Sequence, residues 1–343
     1  MTNRTLFETR STTRFDPTTV YETDRTMKVL VTGGAGFIGS NFVRFLLANS
    51  DDEITIIDSL TYAGSKDTMT DFAESPRVQF IEGDICDREL VTSAMDNHNA
   101  VVHFAAESHV DRSLKGSDRF ITTNCLGTNV MCDVANELEI SRFVHISTDE
   151  TYGSLTQGSF SEKDRLEPSS PYSASKAGSD LIALAHHSTY DLPVIITRSS
   201  NNYGPFQFPE KLIPLFVTNL LDGLTVPLYG DGANVRDWIH VDDNCAAIDS
   251  VLRAGKTGEI YNIGAGNEIS NLELTEILVE LCDRDDSAIE RVADRLGHDF
   301  RYSVDSSLVH DLGWKPRIDL HSGLEATIRW YRDHETWWRP KKA

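Results

Sequence analysis

Between residues 28 and 198 the chain alternates short apolar runs with longer amphipathic stretches. Lys28–Thr32, Glu53–Ile57, Arg77–Ile81, Ala100–Ala105, Arg142–Ser147 and Pro193–Arg198 read as buried strands, because they are apolar and too short to be helices. Between several of them apolar residues recur at helical spacing, as in Ile38, Phe42, Phe45 and Leu46. Strand, helix, strand repeated in this way predicts an α/β fold: a doubly wound parallel sheet with helices on both faces. Beyond about residue 200 the alternation loosens, Pro205, Pro209, Pro214 and Pro227 punctuate the chain, and helices are expected at 271–283 and 321–333. The pattern predicts one domain over 27–200, with part of 234–260, and a smaller interleaved α/β domain formed mainly by 201–339. Residues 1–26 carry neither period and read as a disordered extension. Met27, immediately before the first strand, offers a second possible start of translation.

A length of 343 residues is enough for about two domains and a large core. The net charge of −21 repels phosphate backbones and anionic headgroups, so neither nucleic acid nor a membrane surface is an expected partner. A surface so acidic is either plain solubility or adaptation to a salty cytoplasm, and the second reading predicts that stability rises with KCl. The five cysteines, Cys86, Cys125, Cys132, Cys245 and Cys282, show no C-x-x-C or metal-ligand spacing and are expected to be reduced thiols. No apolar run reaches the ~18 residues of a membrane span and no secretory leader is visible, which predicts a cytoplasmic protein.

The first strand runs into Thr32-Gly-Gly-Ala-Gly-Phe-Ile-Gly39, which places Gly33, Gly36 and Gly39 ahead of a helix. Such a turn lets a pyrophosphate approach the helix N-terminus, although a purely structural turn uses the same residues. Phe37 and Ile38 belong to the same turn. Asp58 ends the second strand about 20 residues later, where a carboxylate accepts from the ribose hydroxyls of a dinucleotide or simply closes a turn. With Ser59, Leu60 and Thr61 following, and no cation to meet a 2′-phosphate, a Rossmann-type fold with NAD as cofactor is favoured over NADP. Asp84 and Ile85 after the third strand, and Ala105, Ala106 and Ser108 after the fourth, would line the same crevice. His109 reads equally as a ligand contact or as a structural histidine.

Two segments carry chemistry. Tyr172 and Lys176 are four apart at the start of a helical stretch running to about His187, on one face, so the ammonium is expected to lower the phenol's pKa and make tyrosinate a usable base. Ser147-Thr-Asp-Glu150 follows a strand and so lies at the carboxyl edge of the sheet. Two carboxyls facing the crevice there serve as general acid and general base if their environments separate their pKa values; otherwise they close a polar turn.

Taken together, Thr-Gly-Gly-Ala-Gly-Phe-Ile-Gly, Ser-Thr-Asp-Glu and Tyr-x-x-x-Lys resemble the extended short-chain dehydrogenase/reductases. Within them the chain is similar to the dTDP-glucose 4,6-dehydratases from Met27 to about Arg339. The likeness includes Asp58-Ser-Leu-Thr-Tyr-Ala-Gly64, Ala105-Ala-Glu-Ser-His-Val-Asp-Arg112, Ser200-Asn-Asn-Tyr-Gly-Pro205, Phe208-Pro-Glu-Lys-Leu-Ile-Pro214, Arg236-Asp-Trp-Ile-His-Val-Asp-Asp243, Tyr261-Asn-Ile-Gly264 and Ala293-Asp-Arg-Leu-Gly-His-Asp299. Thr-Asp-Glu is the discriminating part, since the related 4-epimerases resemble it with small residues at those positions.

The resemblance implies a lyase that uses NAD without net consumption. Tyr172 takes the 4-hydroxyl proton, Thr148 assists it, Lys176 also holds the nicotinamide ribose, Glu150 removes the C5 proton and Asp149 protonates the departing C6 hydroxyl. It implies sugar-nucleotide contacts at Ser108 or His109, Thr148, Asn201, Lys211, Leu212, Pro227, Tyr229, Arg236, Asn262 and His298. Thr123 and Asn202 fall on the cofactor side, and no metal is implied. Lys211 and Arg236 suit an anionic diphosphate, though each also reads as an ordinary surface cation. Thr151, Leu296, Phe206 and Gln207 depart from the family pattern, and none is expected to touch the acid, the base or the hydride geometry. A homodimer joined by helices of the first domain is implied too. A UDP-sugar substrate, or a non-catalytic NAD-binding protein, are the alternatives, and dTDP differs from UDP by so little that a few contacts near Pro227, Leu228 and Tyr229 would decide.

Overall fold

The computed structural model describes residues 26–294 and 299–342. Its twelve strands are β1 (Lys28–Thr32), β2 (Glu53–Asp58), β3 (Val78–Glu82), β4 (Ala100–His103), β5 (Arg142–Thr148), β6 (Val194–Ser199), β7 (Asn201–Tyr203), β8 (Val226–Tyr229), β9 (Val235–His240), β10 (Ile260–Ile263), β11 (Glu268–Ser270) and β12 (Ile289–Val292). Seven form one all-parallel sheet in the order β10-β6-β5-β4-β1-β2-β3. The winding reverses between β1 and β4, so the carboxyl ends of these two strands flank the crevice in which such sheets bind ligands.

Alternation along the strands builds a core on each face. Val29 and Val31 of β1 join Phe42, Leu46, Ile248 and Val251 on one side, while Leu30 joins Met131, Val134, Phe143 and Ala183 on the other. Helices Phe37–Asn49 and Val241–Ala254 cover the first face; Arg88–Met95, Thr128–Glu137 and Pro171–Tyr190 cover the second. A third cluster unites helices Leu212–Leu221, Asn271–Leu281 and Leu320–Asp333 with Trp337 and Trp338. Beside it lie the three-stranded sheet β11-β9-β7 and the pair β12-β8.

All six predicted strands form, with no end moved by more than two residues, and both expected helices are found. β10, the seventh strand of the large sheet, is not visible in the sequence pattern because four residues after a proline-punctuated stretch carry little periodic signal. The extension expected over 1–26 lies, apart from Thr26, outside the described residues, as do Leu296 and His298. Among the described residues no helix is long and apolar enough to cross a membrane, and no cluster of metal-ligating side chains occurs. All five cysteines are free thiols.

Candidate active site

A cavity of about 580 Å³ opens at the carboxyl ends of β1 and β4. Gly33, Gly36, Phe37, Ile38 and Gly39 form its floor. Gly33 has φ +72°, and a Cβ there would stand 2.7 Å from the Ala105 backbone nitrogen, so the turn excludes any side chain and keeps the helix N-terminus open. Asp58 lines the wall with its carboxylate held by the Ala35 N–H (2.9 Å) and the Leu60 N–H (2.8 Å), and burial raises its pKa despite both bonds. Ser59, Thr61, Asp84, Ile85, Ala105, Ala106, Ser108, Thr123, Tyr172 and Lys176 are among the other residues of the lining. Thr123 reaches it from Ile121–Gly127, a stretch of widened π-type helix fixed by Asn124, whose amide pairs with both the N–H and the carbonyl of Glu107. Leu60 lies off the wall; its backbone serves Asp58 instead.

The catalytic segment follows directly from β5. Thr148 caps the one-turn helix Asp149–Tyr152, its hydroxyl accepting from the Glu150 N–H at 3.3 Å. Successive side chains on such a turn diverge by about 120°. The two carboxyls therefore sit in different surroundings: Glu150 lines a second cavity, while Asp149 is only 3% exposed. Burial, followed by the charges of Glu150 and Asp237, pushes the Asp149 pKa up to about 8, so it is protonated at neutral pH. Its Oδ2 is buried without a partner, as an acid awaiting an acceptor would be.

Ser170 caps the helix Pro171–Tyr190 in a reciprocal box with Ser173, and Pro171 takes its first position, which fixes Tyr172 and Lys176 one turn apart. Their electrostatics differ from expectation. Lys176 is buried, its ammonium donates to the Ile146 carbonyl at 2.7 Å, and desolvation lowers its pKa to about 8. The Tyr172 phenol is pushed well up, first by burial and then by Glu150; the Ser108 hydrogen bond opposes this, and Lys176 makes no leading contribution. The ammonium gives one of its three N–H bonds to that carbonyl and keeps two for other acceptors.

The second cavity, about 220 Å³, is lined by Ser108, His109, Glu150, Tyr172, Asn201, Asn202, Lys211, Leu212, Pro227, Tyr229 and Arg236, among others. Ser108 and Tyr172 line both cavities, which therefore meet at the phenol. Lys211 donates to the Ser108 hydroxyl at 3.2 Å. Burial and the Lys211 ammonium push His109 down to about 4, so it is neutral. Arg236 packs its guanidinium 4.1 Å above the Tyr302 ring and is held by the carbonyls of Val235, Asp299 and Phe300. Neither cation is an ordinary surface residue.

Three placements differ from the sequence reading. Asn202, expected beside the cofactor, lines the second cavity because β7 carries it past the end of the large sheet. Asn262 lines neither cavity: its Oδ1 accepts from the Tyr152 hydroxyl, its Nδ2 donates to the Phe160 carbonyl, and its N–H donates to Glu162. Gln207, treated as remote from the chemistry, lines both cavities. Sequence reasoning also missed Tyr62 and Glu210. Tyr62 donates to the Ser108 carbonyl at 2.9 Å, and Arg112 lies 3.6 Å over its ring while pairing with Glu210. Both stand inside motifs quoted from the sequence, which was the available signal.

The family described as GDP-mannose 4,6 dehydratase matches residues 30–327. A dTDP-glucose 4,6-dehydratase of Actinoplanes sp. is 52% identical over 319 residues, 91% of this chain and 100% of the relative. The low-salt glycan biosynthesis protein Agl12 of Haloferax volcanii is 53% identical over 89% of this chain and 98% of its own. The crystal structure of DesIV, a dTDP-glucose 4,6-dehydratase from Streptomyces venezuelae with NAD bound, superimposes with a TM-score of 0.91 at 54% identity, covering 92% of this chain and 100% of that one. With a parallel sheet, a glycine turn, a carboxyl pair and a Tyr-Lys helix in the arrangement described, the chain belongs to the nucleotide-sugar 4,6-dehydratase family, in its dTDP-glucose branch.

Proposed function

We propose that this protein is an NAD-dependent lyase that converts dTDP-glucose to dTDP-4-keto-6-deoxy-glucose. The observation that carries the reading is the division of one carboxyl pair into a buried acid, Asp149, protonated up to about pH 8, and a cavity-facing neighbour, Glu150, both beside the phenol at which two cavities meet. The first cavity fits NAD: its glycine floor admits a pyrophosphate and Asp58 stands where ribose hydroxyls are read. Phe37, Ile38, Asp58, Thr61 and Lys176 would hold it, and when bound it accepts and returns a hydride.

Tyr172, ionised when it acts, accepts the proton of the sugar's 4-hydroxyl as C4 becomes a ketone. The new carbonyl makes the C5 hydrogen acidic; without it a carboxylate is far too weak a base. Glu150 takes that proton, Asp149 protonates the C6 hydroxyl, and one water leaves. Protonated Glu150 then returns its proton to C5 as C6 is reduced. The proton that Tyr172 took passes through solvent to Asp149, which resets both groups, so the net change is loss of one water from the sugar nucleotide.

The linings support a division of labour in which 27–200, with part of 234–260, hold the cofactor and 201–339 supply most of the diphosphate and base contacts. Leu114, Ile121, Leu126 and Leu181, each about half exposed on neighbouring helical segments, support a homodimer through that face. Five free thiols support a cytoplasmic location. Side-by-side turnover of dTDP-glucose and UDP-glucose, followed by the alkaline absorbance of a 4-keto-6-deoxy product, tests the substrate. Preference for the UDP-sugar would keep the mechanism and replace the substrate; turnover of neither would favour a binding protein.

A further inference from the structure

The loop joining β7 to helix Leu212–Leu221 is held more firmly than a connection requires. The Asn41 side chain donates to the Pro205 carbonyl at 3.0 Å, and the Tyr331 hydroxyl donates to the Gln207 carbonyl. Phe206, at φ +68°, places its ring 3.8 Å from the Arg44 guanidinium and 4.6 Å and 5.6 Å from the rings of Trp330 and Trp337. A phenylalanine in left-handed backbone conformation persists only where its surroundings over-determine it. The first helix and the C-terminal helices thus clamp the loop from two sides.

What this clamp positions is Gln207, 8% exposed and set in the wall common to both cavities. Its Nε2 donates to the Asn202 carbonyl at 2.9 Å. That bond fixes the amide's orientation, because a carbonyl accepts only from the NH₂ end. Oε1 therefore points away from Asn202, and it is buried without a hydrogen-bond partner. A buried amide oxygen left unpaired is costly, so one set in the wall of two ligand-sized cavities is placed to be completed by what binds there.

We propose that Gln207 is a ligand-binding residue at the junction of the cavities, its Oε1 accepting a hydrogen bond from an N–H or O–H donor of the bound molecules. Two sources share this chemistry at that position: the carboxamide of nicotinamide and a hydroxyl of the sugar. The assignment rests on the functional reading above. The clamp makes Tyr331, Phe206 and Trp330 positioning residues that act through Gln207.

The test compares wild type with Gln207→Met, which keeps the side-chain length and removes the acceptor, and Gln207→Ala, which guards against a misfolded methionine variant. Thermal melts establish folding, NADH fluorescence titration reads the cofactor arm, and the KM for dTDP-glucose reads the sugar arm, with dTDP alone as a control. A weakening of about threefold to tenfold in NADH affinity identifies the carboxamide as donor, and the same change in KM identifies the sugar hydroxyl, with dTDP affinity unchanged. Both arms within about twofold of wild type in a folded variant would overturn the proposal. If wild type leaves dTDP-glucose unconverted, the functional reading has failed, and the NADH titration alone decides the role of Gln207, unchanged affinity overturning it.

Discussion

Asp149 and Glu150 are adjacent in the chain yet occupy different dielectrics: Asp149 is buried with Oδ2 unpaired, and Glu150 faces the substrate cavity. The short helix capped by Thr148 makes this separation, and the assignment of acid and base depends on it. Because the acid form of Asp149 is needed, single-turnover water elimination should fall as pH rises through about 8, and rapid-quench rates across that range should show the limb. A rate flat to high pH would remove Asp149 from the role.

The same raised pKa has a stability consequence. Between the ordinary carboxyl value of 3.8 and about 8 the folded state holds a proton that the unfolded state has released, so stability conferred at low pH is lost progressively across this window and levels off above it. Asp149→Asn, which cannot ionise, should therefore melt higher than wild type by a margin that grows from about pH 4 to pH 8. Melting curves of both proteins at several pH values measure that margin; a constant difference would contradict burial as the cause.

Glu150→Gln should block C5 deprotonation while leaving C4 oxidation intact, lowering turnover by about 10²- to 10⁴-fold and leaving NADH on the enzyme, visible by its absorbance. Removing this charge also removes the second-largest influence raising the Tyr172 pKa, so the oxidation half-reaction of the variant should shift its pH dependence downward. Normal turnover in the variant would refute the base assignment.

Asn262→Ala should destabilise the fold by about 1–3 kcal/mol, since it strands the Tyr152 hydroxyl and the Phe160 carbonyl, yet leave the KM for dTDP-glucose within about twofold. Denaturant melts and steady-state kinetics on one preparation separate the effects. A large rise in KM with unchanged stability would restore Asn262 to the substrate site.

A net charge of −21 opposes compaction until it is screened, so the melting temperature should rise from low salt to molar KCl. A melting temperature indifferent to KCl would show the acidic surface to be a matter of solubility alone.

Much of this was legible in the sequence, for identifiable reasons. Apolar runs such as Val29–Val31 and Ile54–Ile57 are buried on both faces and declare themselves as parallel strands, and glycine, acidic and Tyr-Lys positions sit at fixed offsets from them. β7 and β11, three residues each and partly polar, carry no such signal. Motif reasoning gives residue types but not which atoms are already engaged. Asn262 stands in a suggestive Tyr-Asn-Ile-Gly and engages its side-chain amide and its N–H in structure, whereas Gln207 stands outside the motif chemistry and keeps an acceptor free at the junction. The Tyr172–Lys176 spacing puts both side chains on one helix face, but it does not reveal that Lys176 also donates to the carbonyl of Ile146 on β5.

In the proposed reaction one hydrogen travels within a single sugar, leaving C4 and arriving at C6, while water is lost. Purified protein incubated with dTDP-glucose deuterated at C4 and a catalytic amount of NAD should yield a product one water lighter, with deuterium at C6 by NMR and no net NADH. Deuterium retained at C4 in an isomer of unchanged mass would show an epimerase, and would strip Asp149 and Glu150 of the roles argued for them.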